Sequence, residues 1–325
     1  MADLRTQYLG LDLRNPIIVS SSGLTSSIEQ IIEAEDAGAG AVVLKSLFEE
    51  QLKYEAGQLL GNNDYPEADD YILNYTKDNS VADYLTLIEN AKKKVKIPVI
   101  ASVNCVSSSD WIDFSKKMEA AGADALEVNV FFLPVDKERS PEDYEMVYFD
   151  LAEKLKDLLS IPVAFKLGRQ FSNLLNLVNR LYQRKVNGVV LFNRFYEPDI
   201  DIDQMKLISS AIFSSPSDIR QTLRWVGILS DYIEHIDMAA STGVHDGKSA
   251  IKLLLAGATA VQVCSVLYKN GIGFLSDIVK ELNDWMDQKG FHNLEEMRGR
   301  LSYRNISDPS FYERAQFMKY FSTHH

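Results

Sequence analysis

The sequence predicts an α/β protein built as a (β/α)8 barrel of the TIM type. Short apolar runs rich in β-branched residues alternate along the chain with amphipathic segments of helical length. The runs are almost continuously apolar, which is typical of strands covered by helices on both faces. Strands that alternate with helices pair in parallel through right-handed crossovers. Eight such units favour closure into a barrel, whereas an open doubly wound sheet, the alternative, usually has fewer strands.

The predicted strands run from IIVSSS near the N-terminus to AVQVCS near the C-terminus. They cover residues 17–22, 41–46, 99–103, 125–130, 163–168, 188–193, 236–241 and 260–265. Helices are predicted between them at 26–38, 81–94, 111–122, 142–159, 173–184 and 247–257, and again at 274–289. The first helix opens on a serine cap and closes on a glycine. The sequences DAGAGAVVL, AAGADALEV and LAGATAVQV repeat one arrangement, in which a glycine ends a helix and small residues allow a tight turn into the next strand.

Two connections are longer than the rest. Residues 49–98 contain the polar, aromatic segment GNNDYPEADDYILNYTKDNS, and residues 194–235 contain an additional apolar run, WVGIL. In a barrel both follow the C-terminal end of a strand, on the face that carries active sites, where long loops are usually lids or substrate walls. A dimer surface is the alternative for the first. We predict one domain over residues 1–325, with an insertion at about 49–80 and a C-terminal tail from about 291.

Composition restricts the classes of function. The chain has 325 residues, with 34 Lys and Arg against 46 Asp and Glu and a net charge of −12, which argues against nucleic-acid or anionic-membrane binding. Two cysteines exclude a disulfide scaffold and fit a reducing compartment. No apolar run approaches the roughly 18 residues that cross a bilayer, and the N-terminus lacks a signal-peptide pattern. We therefore expect a cytoplasmic protein with neither a nucleic-acid nor a membrane partner.

Polar residues end the apolar strands. They are Ser20, Ser21, Ser22, Lys45, Ser46, Ser102, Asn104, Asn129, Lys166, Asn193, Ser241 and Ser265. A lysine inside an apolar run needs a compensating partner, because removing an ammonium group from water is costly. Two lysines and three amides that converge on a barrel mouth predict a site for a polar, anionic, planar ligand. The alternative is that each lysine reaches solvent or pairs with an interior carboxylate such as Glu127.

The last two strands predict a phosphate site. Gly243 follows the seventh strand and precedes a helix, and Cys264 and Ser265 end the eighth strand at the start of a helical turn. The loops after these two strands form the recurrent phosphate site of this fold. No GxGxxG motif with a downstream acid supports a Rossmann dinucleotide site. His245 lies in the same loop, where we expect a solvated side chain rather than a ligand contact.

Other classes of site find little support in the sequence. The five histidines have no HExxH or paired CxxC spacing, so no metal site is expected. No GxSxG motif occurs, and the serines at 20–22 have no evident base nearby. The run AKKKVK at 91–96 is interpreted as a solvated helix end, where cations are favoured by the helix dipole.

Together these segments resemble the dihydroorotate dehydrogenases, which are FMN-bearing (β/α)8 barrels. The resemblance is carried by NPIIVSSSG, AVVLKS, SVNC, EVNV, FKLG, FN and AGATAVQVCSVLYKNG, and covers about residues 8–290. The soluble class 1 branch and the flavin domain of dihydropyrimidine dehydrogenase are the most similar groups. Without an N-terminal apolar helix, the chain differs from the quinone-using membrane class. The expected assembly is a homodimer, and the expected ligands are FMN and a small anionic planar substrate.

The resemblance implies a role for each candidate site residue. Ser21, Ser22 and Gly23 would lie against the flavin ring, with Asn104 as a further flavin neighbour. Lys45 would lie by the flavin and the substrate carboxylate, and Lys166 near the N1–C2 carbonyl edge, where a cation stabilises reduced flavin. Asn129 and Asn193 would bond the pyrimidine. Backbone N–H groups at Thr242, Gly243, Cys264 and Ser265 would hold the phosphate, and Ser215 falls where the family has a small, glycine-rich loop.

The chain also departs from the family pattern. After the fourth strand the family has Asn-Leu/Ile-Ser-Cys-Pro-Asn, whose Cys, or Ser in the membrane-bound class, deprotonates the substrate. Here the segment reads NVFFLP, so that Phe132, which cannot accept a proton, occupies the base position. The pyrimidine-binding loop after the second strand is replaced by GNNDYPEADDYILNYTKDN, and Arg194 stands where the family has a small hydroxyl residue. Cys105, the nearest other thiol, is interpreted as a packed residue.

Three hypotheses follow. The first is an FMN-dependent oxidoreductase of dihydroorotate dehydrogenase type, with hydride transfer to flavin N5 and a water, Tyr75 or Tyr196 as proton acceptor. The second is an ene-reductase-like or pyrimidine-reducing flavoprotein whose pocket is reshaped by Phe131, Phe132 and Arg194. The third is a barrel that binds FMN or another phosphate without turnover.

Overall fold

The computed structural model describes residues 2–48, 66–105, 110–130, 133–194 and 197–313, with the backbone alone at 48, 66–79, 105, 110, 111 and 113. The strands are β1 Thr6–Tyr8, β2 Leu11–Leu13, β3 Ile17–Val19, β4 Ala41–Val43, β5 Leu47–Phe48, β6 Val99–Cys105, β7 Ala125–Val130, β8 Val163–Leu167, β9 Gly188–Leu191, β10 Pro198–Asp201, β11 Lys206–Ser209, β12 Asp237–Ser241 and β13 Ala260–Val263. The helices are α1 Ile28–Asp36, α2 Pro66–Lys94, α3 Asp110–Ala120, α4 Pro141–Leu158, α5 Leu174–Gln183, α6 Ile219–Tyr232, α7 Gly247–Ala256, α8 Ser265–Asn270, α9 Leu275–Lys289, α10 Leu294–Met297 and α11 Ser310–Glu313. Short 3-10 turns cover Gly23–Thr25, Pro216–Asp218 and Ile272–Phe274.

Eight parallel strands close into a ring in the order β3, β4, β6, β7, β8, β9, β12, β13. The ring is closed by the pairing of β13 with β3, in which Val261 lies opposite Ile17. The predicted (β/α)8 barrel is therefore confirmed, and the open-sheet alternative is wrong. The short strand β5 continues the wall beyond β4 and pairs with the end of β6.

The helices follow the predicted pattern, with one exception in length. In α5 the residues Leu174, Leu177, Val178 and Leu181 are buried, at the spacing of one helical face, and Asn173 caps the N-terminus. The second helix was predicted from residue 81 but begins at Pro66. Its additional turns contain no glycine or proline after Pro66, and proline is favoured at the first helical position. Part of the predicted insertion is thus helical, and residues 49–65 lie outside the described residues.

A hairpin that the apolar runs did not predict fills the N-terminal end of the barrel. Strands β1 and β2 pair antiparallel, and Tyr8, Leu9 and Leu13 are buried inside the ring. The wall residues around them are mostly small, namely Ala41, Ala125, Ala164, Ala239 and Ala260, together with Ile18, Val43, Ile100 and Val190. At Gly188 a Cβ atom would lie 2.6 Å from the Leu9 side chain. The small wall residues therefore make room for the hairpin.

The long connection after β9 contains a second hairpin and an ordinary crossover helix. Strands β10 and β11 pair antiparallel, and the turn between them exposes apolar side chains, with Ile202 81% and Met205 87% accessible. The run WVGIL, interpreted above as additional, belongs to α6, where Val226 and Leu229 are buried against the barrel. The sequence-based interpretation was wrong because the β10–β11 hairpin lies in the chain between this helix and its strand.

The C-terminal segment packs against the barrel as far as residue 313. Leu294 and Met297 are buried, and the backbone N–H groups of Gly299 and Leu301 donate to carbonyl groups at the end of α7. Residues 314–325 of the predicted tail lie outside the described residues. Among the described helices, none combines the length and apolar character needed to cross a membrane.

Candidate active site

A cavity of about 390 Å³ opens at the C-terminal ends of the barrel strands, within the usual size range for small-ligand sites. It extends from the barrel interior to the loops after β12 and β13. Its lining comprises Ser20, Ser21, Lys166, Phe192, Asn193, Arg194, Ile212, Phe213, Ser214, Ser241, Thr242, Gly243, Val244, Gln262, Cys264, Ser265 and Tyr268. Seven predicted site residues are among them: Ser21, Lys166, Asn193, Thr242, Gly243, Cys264 and Ser265.

Lys166 lies at the floor of this cavity in a buried polar network. Its Nζ atom is 3.2 Å from Ser20 Oγ, 3.4 Å from Gln262 Oε1 and 3.4 Å from Glu127 Oε1. Gln262 Nε2 donates to Glu127 Oε2 at 2.6 Å, so its carbonyl oxygen is turned toward the lysine. Lys166 pairs with the interior carboxylate Glu127, as one predicted alternative had it, and it also lines the cavity. The Glu127 carboxylate beneath it compensates its positive charge.

The predicted amides lie on neighbouring strands. Asn129, at the end of β7, accepts a hydrogen bond through Oδ1 from Asn193 Nδ2 at 2.9 Å. Asn193 is held after β9 by its backbone N–H, which donates to the Leu167 carbonyl at 2.8 Å. Asn104, on β6, is buried, and its Oδ1 has no hydrogen-bonding partner among the described residues. The structure therefore brings Asn129 and Asn193 together at the mouth, with Asn104 further round the ring.

Lys45 differs from Lys166 in its surroundings. It is half-buried in the segment between β4 and β5, and its ammonium group makes no ion pair with a described residue. Its neighbour Ser46 belongs to a chain of hydroxyl groups, in which Ser46 Oγ lies 3.0 Å from Ser21 Oγ and 2.7 Å from Ser102 Oγ. These bonds fix the segment that carries Lys45 next to the cavity wall.

The backbone at the other end of the cavity is tightly constrained. Thr242 and Gly243 have positive φ angles of 78° and 80°, and a Cβ atom on Gly243 would lie 2.2 Å from the Ile219 backbone nitrogen. Only glycine fits such a position without displacing backbone. Thr242 Oγ1 donates to the Phe192 carbonyl at 3.0 Å, which fixes the turn to β9. Cys264 and Ser265 follow on the adjacent strand, and burial raises the pKa of the Cys264 thiol.

Ser22 and Gly23 begin a turn beside this end. Ser22 Oγ accepts from the Leu24 backbone N–H at 3.3 Å, and a Cβ atom on Gly23 would lie 2.7 Å from Tyr268 Oη. Ser22 thus caps the 3-10 turn, and Gly23 permits the approach of Tyr268, whose ring lines the cavity.

The loop before α6 differs from the prediction. Ser215 is exposed and does not line the cavity, whereas its neighbour Ser214 is buried and does. The Ser214 backbone N–H donates to Ser265 Oγ at 3.0 Å, and Ser214 Oγ is 3.1 Å from His245 Nε2. His245, for which we expected a solvated side chain, is half-buried, with its ring against this loop. Burial and the nearby Lys269 charge lower the pKa of His245.

Arg194 anchors the same loop rather than adding free positive charge to the mouth. Its guanidinium group bonds Asp218 Oδ2 at 2.9 Å and donates to the carbonyl groups of Ala211 and Ile212. The sequence does not reveal this role, because Asp218 is distant in the chain from Arg194. Arg194 therefore holds residues 211–218 as one wall of the cavity.

Several contributors to the cavity were missed from the sequence, among them Gln262, Phe213 and Tyr268. Gln262 could have been found, because it lies two residues before Cys264 on the same strand and so faces the same side. Phe213 and Tyr268 approach the mouth from a loop and from α8, with ring centroids 5.4 Å apart, and no strand pattern reveals them. The predicted roles of Phe131, Phe132 and Tyr196 fall outside the described residues, as do those of the side chains of Tyr75 and Cys105. Within the described ranges, no group of His, Cys, Asp and Glu is arranged to hold a metal ion.

Taken together, the closed barrel and its polar C-terminal cavity define a ligand-binding barrel with buried charge at the floor and a tight glycine turn at the far end. A family model described as dihydroorotate dehydrogenase matches residues 3–286. The chain belongs to the dihydroorotate dehydrogenase family, which confirms the resemblance and the prediction of an oxidoreductase of this type.

Similar curated proteins carry the same family name. The protein named dihydroorotate dehydrogenase B (NAD(+)), catalytic subunit, of Thermoplasma acidophilum is 28% identical over 92% of this chain and 99% of its own length. Its counterpart in Thermoplasma volcanium is 28% identical over 92% of this chain and 98% of its own. That of Pyrococcus furiosus is 27% identical, over 91% and 98% respectively. The similarity therefore spans both chains almost completely.

Proposed function

We propose that this protein is an FMN-dependent oxidoreductase that oxidises dihydroorotate to orotate, or acts on a closely similar small planar anion. The family match and the cavity at the catalytic face of the barrel support this assignment. The observation that carries it is that one cavity contains both a buried lysine at its floor and the constrained turn at Gly243.

The residues present fit FMN. Gly243 has no room for a side chain, so its backbone is free to face a phosphate, and Ser265 lies on the neighbouring strand. Lys166 lies at the floor of the cavity, where its ammonium group would meet the pyrimidine edge of the ring. When bound, FMN would supply a hydride acceptor. The phosphate contacts of Thr242, Gly243, Cys264 and Ser265, and the ring contacts of Ser21, Ser22, Gly23 and Asn104, are part of this proposal.

The polar groups of the chain would bind and orient the substrate. The Asn129–Asn193 pair presents amide groups at the mouth that match the hydrogen-bonding edge of a pyrimidine. Lys166, fixed by Glu127, Gln262 and Ser20, would hold positive charge at the floor without moving. Lys45 would add an uncompensated cation from the β4 side.

The decisive experiment begins with the purified protein. A yellow protein with a flavin spectrum, from which heat releases FMN, is the expected result, and anaerobic dihydroorotate should bleach the flavin band. A colourless protein that FMN does not reconstitute would contradict the cofactor. Bleaching by a different reductant from a panel of reduced pyrimidines and enoates, but not by dihydroorotate, would contradict the substrate.

Phe132 favours a second candidate, a flavoprotein reductase of another planar substrate, because a phenyl ring cannot take up a proton from carbon. The Phe132→Cys variant separates the two. If dihydroorotate is the substrate, a thiol at this position should raise the rate of flavin bleaching. An unchanged rate would favour the second candidate, and flavin that no substrate reduces would favour a binding protein without turnover.

We further propose that the whole chain forms a single barrel domain and that it is cytoplasmic.

We also propose that the protein forms a homodimer through the β10–β11 hairpin. Exposed apolar side chains on this hairpin, among them Ile202 and Leu207, support the dimer because patches of this kind mark association surfaces. Sedimentation should show a dimer that I202S/L207S converts to monomer, while Leu133→Ser, at another exposed position, has no effect. A monomeric wild-type protein would contradict this assembly.

A further inference from the structure

Gln262, on β13, lies between the two charges of the cavity floor. It is 1% exposed and lines the cavity together with Lys166. Its amide bonds in two directions. The Nε2 atom donates to Glu127 Oε2 at 2.6 Å, and the Oε1 atom accepts from Ser20 Oγ at 3.0 Å and from Lys166 Nζ at 3.4 Å. Gln262 is therefore bonded to both members of the buried ion pair.

The direction of this amide is fixed by the charges on either side of it. Reversal would turn the carbonyl oxygen toward the Glu127 carboxylate and the NH2 group toward the Lys166 ammonium, so that acceptor would face acceptor and donor would face donor. The observed direction places a donor on the anion and an acceptor on the cation, and hydrogen bonds to charged groups are the stronger kind. An apolar side chain of similar size would supply neither bond.

The ion pair beside Gln262 is longer than a direct contact. Lys166 Nζ lies 3.4 Å from Glu127 Oε1, and that oxygen has no hydrogen-bonding partner among the described residues. A direct charge-assisted bond is about 2.7–2.9 Å long. Elsewhere in this protein Lys92 Nζ reaches both carboxylate oxygens of Asp124 at 2.7 Å. The Glu127 carboxylate thus makes its short bond to Gln262 rather than to the lysine.

We propose that Gln262 is a positioning residue that holds Glu127 and Lys166 apart, so that the positive charge of the lysine stays available to the ligand in the cavity. Attraction between buried charges grows as they approach, and a lysine drawn onto the carboxylate would be more fully compensated. With Gln262 in place, the carboxylate stabilises the buried ammonium but takes its hydrogen bond from the amide. The consequence for FMN rests on the proposed function: an available cation at the floor favours reduced over oxidised flavin.

The midpoint potential of the FMN-loaded protein tests this role, measured together with the affinity for oxidised FMN. Gln262→Met removes the donor and the acceptor at similar volume, so Lys166 should close onto Glu127. The ratio of the affinities for reduced and oxidised FMN should then fall by about tenfold, which is about 30 mV for a two-electron couple. Gln183→Met, at an exposed position at the end of α5, should leave the ratio unchanged.

Two further variants show whether Gln262 acts through the charges or only through packing. In a K166M/E127Q background, which lacks both charges, Gln262→Met should leave the ratio unchanged. Gln262→Glu keeps the shape of the side chain. Because two carboxyl groups this close share a proton, its O–H would donate to Glu127 as the amide does. This variant should retain the wild-type ratio, and it keeps the proposal testable if Gln262→Met does not fold.

A second test requires no flavin. The coupling between residues 166 and 127 is measured by urea denaturation of Lys166→Met, Glu127→Gln and the double variant. In a Gln262→Met background the coupling constant should be about tenfold larger, because the two charges would then bond directly.

Four results would overturn the proposal. Two concern Gln262→Met: an unchanged ratio of affinities, or an equal fall of the ratio in the K166M/E127Q background. The third is a Gln262→Glu variant whose ratio falls by tenfold or more, and the fourth is a coupling between residues 166 and 127 that does not increase in Gln262→Met. Failure of the proposed function is seen separately, as a protein that binds no FMN or a flavin that dihydroorotate does not bleach. In that case the coupling measurement still decides whether Gln262 holds the two charges apart.

Discussion

The lower and upper layers inside this barrel are built on the same strands and differ in chemistry. On three strands, a residue of the lower layer is followed two positions later by a residue of the upper layer: Ala125 by Glu127, Ala164 by Lys166, and Ala260 by Gln262. Because side chains alternate along a strand, each pair faces the same interior. The lower layer is apolar and filled by the N-terminal hairpin, whereas the upper layer is a buried polar network beneath the cavity.

The lower layer stabilises the fold, and the upper layer carries the charged groups beneath the cavity. Small alanines below permit close packing around Tyr8 and Leu13, and burial of apolar surface stabilises the fold. The upper layer places Lys166 and Glu127 in the same low-dielectric interior, where each charge depends on the other. Breaking the upper layer should therefore cost more than disturbing the lower one.

The largest effect is expected for Lys166→Met. This change leaves Glu127 as a buried carboxylate without its cation, and it should lower the free energy of unfolding by about 3–5 kcal/mol. Urea denaturation measures the loss. The K166M/E127Q double variant removes both charges while preserving an acceptor for Gln262, so it should recover most of the stability. A double variant no more stable than Lys166→Met would show that the two residues are not coupled.

A smaller loss is expected from overpacking the lower layer. Ala164→Leu adds three carbons next to the N-terminal hairpin and should destabilise the protein by about 1–3 kcal/mol, because the surrounding core is closely packed. Orotate affinity should not change, since the substitution lies below the polar network. Altered orotate binding at unchanged stability would mean that the layers are not separate in function.

The sequence predicts much of this arrangement. The eight apolar runs predict the position of every barrel strand. The polar residue that ends a run, as Lys166 does, predicts the face of the barrel that carries the cavity. Periodicity suffices here because each strand is buried on both sides, by the helices outside the barrel and by the side chains that fill its interior. The turn at Gly243 is also predictable, since it follows the seventh strand directly.

What the sequence leaves open is pairing between distant residues. The sequence offers Glu127 only as one possible partner of Lys166, and nothing near Arg194 indicates Asp218, so the charges available to a ligand could not be counted beforehand. The N-terminal hairpin was missed because its short strands show no extended apolar run, although Tyr8 is buried in the barrel.

Tyr8 offers a sharper test of the boundary between the layers. Its hydroxyl is buried without a hydrogen-bonding partner among the described residues, and burial together with the Glu127 charge raises its pKa. Tyr8→Phe should therefore increase the free energy of unfolding by about 1 kcal/mol, because an unsatisfied polar group is removed. Tyr84→Phe is the matched control: the Tyr84 hydroxyl bonds both the N–H and the carbonyl of Ser102, and its loss should destabilise. If Tyr8→Phe instead destabilised the protein, the prediction would be contradicted, because the Tyr8 hydroxyl would then have a hydrogen-bonding partner in the folded state.

The smallest effect is expected at the cavity rim, where His245 packs on Ser214. Burial and Lys269 lower the pKa of His245, while Asp246 and Asp218 oppose them. Since the folded protein binds a proton at this site less readily than the unfolded chain does, His245 stabilises the fold above its ordinary pKa of 6.5, and this contribution is lost as the pH falls. Solvent screening of a half-exposed ring keeps the change below about 1 kcal/mol. Denaturation of the wild type and His245→Asn at pH 7.5 and about pH 5.5 should show the smaller pH-dependent loss in the variant. Equal losses would mean that the ring titrates alike in both states, and that the rim, unlike the buried pair beneath it, is electrostatically open to water.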